Sequence, residues 1–241
     1  MAGQSPEIGK VYKFEGFTAE ILSYTRPKVV LGLSTGEEIE VYWSSLRKGL
    51  IHSRMEPKIA GIGFLGVGPY SCGEDAYAYS KWTGIITRSA GEDIPAKYPE
   101  YVDVVCDPEW YNFQNFARWF YSQKGHDVFG WHIDKDLLSQ DSKIYGPDTC
   151  CIIPQEINNA IPKDVARGNY PRGLKKKKGY DGFFVRVGKY GKKTEVGYYK
   201  DEQEAIAAYI KAKEDYIKEL AETFKDQIEP RVYEALMNYK V

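Results

Sequence analysis

A chain of 241 residues, 43% of them apolar, is long enough to bury a sizeable core, as one large domain or two to three small ones. Its apolar runs are short and its first ten residues, MAGQSPEIGK, are polar, so neither a membrane span nor a secretory signal is expected and a cytoplasmic location is. The formal charge of −1 hides a segregation: residues 167–200 hold eleven basic residues against two acidic ones, a local balance of +9 that leaves −10 for the remainder. Such a separation points to a segment that binds a polyanion, with a solvated basic loop as the alternative.

Residues 1–58 read as a small antiparallel β module, barrel-like in its succession of short strands. KVYKF, TAEIL, KVVLGL and EEIEVYW alternate with a period of two and are separated by turn residues such as Gly16 and STGEE. Tyr42 and Trp43 suit a core or a ligand contact equally. Residues 59–75 form a glycine-rich connection, GIGFLGVGPYS, with four glycines in eight residues. No Lys-Ser/Thr pair follows and no dinucleotide fingerprint is complete, so a nucleotide cofactor is not expected; a flexible or closely packed linker is.

Residues 76–165 form the central domain. In WYNFQNFARWFYSQ the three- and four-residue spacing of Phe113, Phe116, Ala117 and Phe120 predicts one apolar helix face, with Asp107 or Asn112 as its cap and Pro108 in a first turn. WHIDKDLL then reads as a strand with His132, Asp134 and Asp136 on one face. KIYGPDTCCIIP reads as a turn and a second strand or helix approach, and QEINNAI as a helix. The four cysteines, Cys72, Cys106, Cys150 and Cys151, contain no C-x-x-C pair, which leaves buried free thiols rather than a zinc knuckle or disulfide framework. Two strands and a helix with an acid at a strand end and an amide on the helix are the arrangement of ββα-metal nucleases, where one divalent cation is held between strand and helix.

The stretches EWYNFQNFARWF, HIDKDLL and IYGPDTCCIIPQEIN, preceded by EPKIAGIGFLGVG and YAYSKWTGII, resemble the phage-encoded HNH endonucleases. The resemblance covers most of the chain. It implies that Asp134 and Asn158 hold a divalent metal ion, Mg2+ or Mn2+, and that the chain cleaves double-stranded DNA at a preferred site in a bacterial host cell. The pattern departs from the family at two places: Lys135 stands where the general-base histidine belongs, and Thr149 replaces the middle asparagine. His132, on the face of Asp134, is the substitute base, and Asp136 a further ligand or base; a packed histidine and a solvent-facing acid are the plain alternatives. Without the Asp-His pair, a DNA-binding regulator or inhibitor with a degenerate centre is the second function.

Residues 166–241 begin with the basic segment. GFFVRV and TEVGYY read as paired strands around GKYGKK, and Asp201 as the cap of a helix whose Ala205, Ala208, Tyr209 and Ala212 form an apolar stripe. Charged helix is expected to continue through residues 213–239, with Tyr216, Leu220 and Phe224 packing. Three short strands followed by a helix resemble the Apetala-type DNA-binding domain. By that resemblance a sheet face enters the major groove, and Arg172, Lys175, Lys177, Arg186, Lys189 and Lys192 contact DNA. The fold class expected is therefore α+β: an antiparallel β module, an HNH-like ββα centre, and a three-stranded sheet with a helix.

Overall fold

The computed structural model describes residues 5–91, 98, 101–139, 143–162 and 173–241. The fold is α+β, and the chain falls into two compact units, Met1–Arg118 and Trp119–Val241.

In the first unit β1 (Val11–Phe14), β2 (Phe17–Thr25), β3 (Lys28–Leu33) and β4 (Glu38–Tyr42) make an antiparallel meander in the order β1-β2-β3-β4. Two-residue turns, Glu15-Gly16 and Arg26-Pro27, join the first three strands. Alternation sends Phe17, Ala19, Ile21, Val29, Leu31 and Leu33 into one cluster, closed by Leu46 of α1 (Trp43–Arg47) and by Ile51. The sheet is open, with β1 and β4 as its edges, where a barrel-like succession was expected. Trp43 packs on this cluster and meets Tyr12 edge-on, whereas Tyr42 is exposed.

Of the two readings of the glycine-rich connection, close packing is the one observed. A Cβ at Gly66 would lie 2.0 Å from Asn112 Oδ1, and one at Gly68 2.4 Å from Gln114 Oε1. Gln114, itself buried, donates through Nε2 to the carbonyls of Leu65 and Tyr70 and accepts from the Tyr70 N–H. These glycines admit side chains to the backbone. Next come α2 (Ala76–Ala90), which buries Ala78, Trp82, Ile85 and Ile86, and the short β5 (Val105–Cys106) packed beside it. Both proposed caps act, on different helices. Asp107 accepts from the Glu109 N–H at a 3-10 turn, Pro108–Tyr111, and Asn112 accepts from the Gln114 N–H at the start of α3 (Phe113–Ser122). Phe113, Phe116, Ala117 and Phe120 are all buried, as their spacing required. The boundary between the units falls inside α3.

The second unit opens with β6 (His132–Asp134), β7 (Ile144–Tyr145), β8 (Cys151–Ile153) and α4 (Gln155–Ala160). It continues with β9 (Leu174–Lys176), β10 (Phe183–Lys189), β11 (Lys192–Tyr199), α5 (Glu202–Phe224) and α6 (Pro230–Met237). The last three strands form an antiparallel sheet in the order β11-β10-β9. One face, Phe183, Val185 and Val187, is buried against Ala205 and Tyr209 of α5. Asp201 caps α5 by accepting from the Glu204 N–H. Lower on the same helix Tyr216, Ile217, Leu220 and Ala221 are buried, and α5 packs against both α4 and α6. One continuous helix through residue 239 is not observed: α5 ends at Phe224, and Pro230, in the first turn of α6, starts a new helix that buries Val232 and Leu236. Cys106, Cys150 and Cys151 are buried free thiols, and Cys72 is exposed. Among the described residues no helix is long and apolar enough to cross a membrane.

Candidate functional site

The strands β6 and β8 pair antiparallel, with Asp134 opposite Cys151 and His132 opposite Ile153. Only Pro154 separates β8 from α4, and α4 packs on β6, so the helix carrying Asn158 borders the strand carrying His132 and Asp134. Period-two alternation places His132 and Asp134 on the same side of β6. The strand ends at Asp134, sooner than expected. Asp136 therefore shares no strand face with them; it lies exposed in the bend beyond. The cause is Asp134 itself, whose Oδ1 accepts from the backbone N–H of Asp136 at 3.0 Å and of Leu137 at 2.8 Å, a side-chain turn that competes with strand pairing.

Both of those bonds fall on Oδ1, and among the described residues none falls on Oδ2. Burial pushes the Asp134 carboxyl above the usual carboxylate range; the Leu137 and Asp136 N–H groups offset this in part, while the negative charge of Asp136 adds to it. Lys135, where the resemblance expects a base, pairs its ammonium with the Asp136 carboxylate and lies 6.0 Å from the centre of the Tyr145 ring. Asp136 is thus already engaged by a cation. Asn158 is partly exposed on α4. Thr149 donates its hydroxyl to the Ile144 carbonyl at 2.7 Å and so fastens the loop leading into β8. Burial pushes the Cys150 thiol up to about 12 and Cys151 well above its ordinary value, so neither supplies a thiolate. Among the described residues no group of three or more His, Cys, Asp or Glu side chains is gathered to hold a metal. A carboxylate oxygen and an amide oxygen are nevertheless hard donors of the kind Mg2+ and Mn2+ take, with phosphate and water filling the remaining positions.

The C-terminal sheet turns its other face to solvent. Lys175 lies opposite Phe184, and Arg186 opposite Glu195, whose carboxylate it approaches to 3.5 Å. Lys177 sits 4.2 Å over the Phe184 ring. Lys189 falls on the opposite, helix-facing side: its ammonium bonds Glu219 at 3.0 Å and lies over Tyr216. Its partner across the turn is Lys192, exposed at the sheet's end. Arg172 lies outside the described residues.

Three aromatic residues went unnamed in the sequence reading. Tyr180, Phe184 and Tyr198 gather on the exposed face, with ring centres 5.1 Å apart for Tyr180–Phe184 and 5.0 Å for Phe184–Tyr198. The signal was present in GFFVRV, where Phe184 and Arg186 occupy the phase opposite to Phe183, Val185 and Val187. Tyr198 could not be found that way, because a bulge shifts the register: Arg186 faces Glu195 but Val185 faces Gly197. Without the extra residue Gly197 would stand opposite Phe184 and Tyr198 would turn inward. Against family models, curated proteins and solved structures alike, the chain finds no match.

Proposed function

We propose that the chain is a metal-dependent DNA endonuclease of the HNH, ββα-metal type, with an Apetala-type sheet that holds the duplex, carried by a phage or mobile element and acting in the cytoplasm of a bacterial host. The observation that carries this reading is Asp134: a carboxylate at a strand end, beside the helix of Asn158, with both of its hydrogen bonds on one oxygen. Asp134 and Asn158 would hold Mg2+ or Mn2+. When bound, such an ion neutralises charge at the phosphodiester and lowers the pKa of water. His132, on the side of Asp134, accepts the proton of the attacking water; the water oxygen bonds to phosphorus as the P–O bond to the leaving sugar oxygen breaks. Lys175, Lys177 and Arg186, on or beside the exposed sheet face, supply the phosphate contacts that bring the backbone to an acidic site that would otherwise repel it.

The Lys135–Asp136 ion pair favours a second reading, a DNA-binding regulator or inhibitor with an inactive centre, because it fills the usual base position with a cation. Plasmid relaxation with Mg2+ or Mn2+, and with chelator, separates the two. Metal-dependent nicking or cutting that disappears in Asp134→Ala supports the endonuclease. Duplex binding with no cleavage under any metal supports the regulator.

A further inference from the structure

We infer that Tyr180, Phe184 and Tyr198 form a stacking platform for unpaired bases, so that the C-terminal sheet takes single-stranded DNA as a ligand in its own right. This rests on the reading that this sheet binds nucleic acid, and goes beyond it in the form of nucleic acid and the contact chemistry. Tyr180 is 57% and Tyr198 38% exposed, a large aromatic area to leave in water on a sheet whose other face is fully packed. The rings are held in place. Tyr198 donates its hydroxyl to Asp181 at 2.6 Å, and Asp181 in turn pairs with Lys200 at 3.5 Å. Gly182 packs beneath this group: a Cβ there would come within 2.3 Å of the Tyr199 carbonyl oxygen and 2.9 Å of Tyr198 Cζ and its hydroxyl oxygen. Tyr180 and Phe184 meet edge to face, and Lys177 sits over Phe184.

Cations border this patch, with Lys175 opposite Phe184 and Arg186 and Lys193 farther along the same face. Charge complementarity therefore selects a polyanion with flat apolar groups rather than an apolar protein surface. A duplex hides its base faces inside the stack, whereas a single strand offers a π-face at every nucleotide. The one arginine on the face's central strand is shared with Glu195, so the rings are the larger contact offered. Sheet-borne aromatic residues flanked by backbone-tracking cations are the general means of holding unpaired bases.

The test measures fluorescence anisotropy of a labelled oligothymidylate of about 12 nucleotides, and of a duplex of the same length, with the full chain in chelator. The parent is expected to bind both. Tyr180→Ala and Tyr198→Ala should each weaken single-strand binding about 5- to 150-fold and change duplex binding less than about twofold. Tyr198→Phe, which keeps the ring and loses only the Asp181 bond, should retain most of the affinity. Tyr180 lies outside the strands, so its variant remains informative if Tyr198→Ala does not fold. Unchanged single-strand affinity in the alanine variants, or equal loss on both ligands, overturns the platform while leaving duplex binding standing. A parent that binds duplex alone overturns only this inference, and one that binds neither ligand overturns the nucleic-acid reading with it.

Discussion

Two carboxyl groups withdrawn from water to different degrees, one in each unit, are treated in opposite ways. Glu37, 3% exposed behind the β3–β4 turn, has both oxygens occupied: Oε2 accepts from the hydroxyls of Thr35 and Ser53, and Oε1 from the Arg54 N–H. Burial by itself would raise its pKa, but those donors outweigh it and hold the carboxyl below the usual range. Asp134 receives two backbone N–H bonds on one oxygen, and burial wins, so its carboxyl is raised. A carboxylate that only holds a fold has its charge matched by donors from its own chain. One left short of donors suits a ligand that brings positive charge.

The sharpest break of this contrast is Asp134→Asn, which keeps an oxygen for the Asp136 and Leu137 N–H groups while removing the charge. Cleavage of plasmid should fall below detection with duplex affinity unchanged; retained cutting would remove Asp134 from the centre. His132→Ala in the same assay should slow cleavage about 10²- to 10⁴-fold. Next in size, Glu37→Ala leaves Ser53, Thr35 and the Arg54 N–H without their acceptor. It should cost about 3 kcal/mol of stability by denaturant titration, and a loss near zero would mean that Glu37 is not structural. The outer faces of the two sheets carry opposite charge. The outer face of the N-terminal sheet presents Glu20, Glu38 and Glu40, where the C-terminal sheet presents Lys175, Arg186 and Lys193. Replacing Lys175, Lys176, Lys177 and Lys178 by alanine should reduce the salt slope of duplex binding by roughly 3 to 4, whereas Glu20→Ala with Glu38→Ala should leave it unaltered. An unchanged slope in the lysine variant identifies a solvated loop.

The smallest effect is in pH. Glu37, with a lowered folded pKa, contributes stability that is present above the ordinary glutamate range and lost as pH falls through its folded value. Asp134, with a raised folded pKa, has the reverse sign: the native state loses stability as pH rises from the ordinary aspartate range through the folded value. Between acid and neutral pH, Glu37→Gln should therefore lose stability relative to the parent as pH rises, and Asp134→Asn should gain it. Denaturant titrations across that range read both signs, and parallel curves for all three proteins would refute the contrast.

Local periodicity was enough to read the elements whose faces are set by their own residues. The apolar spacing of Phe113, Phe116, Ala117 and Phe120, the alternation in β2, β3 and β10, and the Asp201 cap all follow from side chains within one turn or one strand. The same reading placed Asp134 at a strand and Asn158 on a helix, because Pro154 and the apolar CCII run mark that transition. It carried the strand too far, to Asp136, since alternation alone does not reveal that the Asp134 carboxylate folds back on the next N–H groups. Tertiary structure decided what depends on partners distant in sequence. Lys189, in phase with Phe183, Val185 and Val187 along β10, is held on the helix side by Glu219, thirty residues away, and Tyr198 was turned onto the exposed face by a one-residue bulge. The Asp134 carboxyl was raised by burial. A charge count or a period of two contains neither a register shift nor a desolvation, because both exist only once another strand or helix has packed against the residue in question.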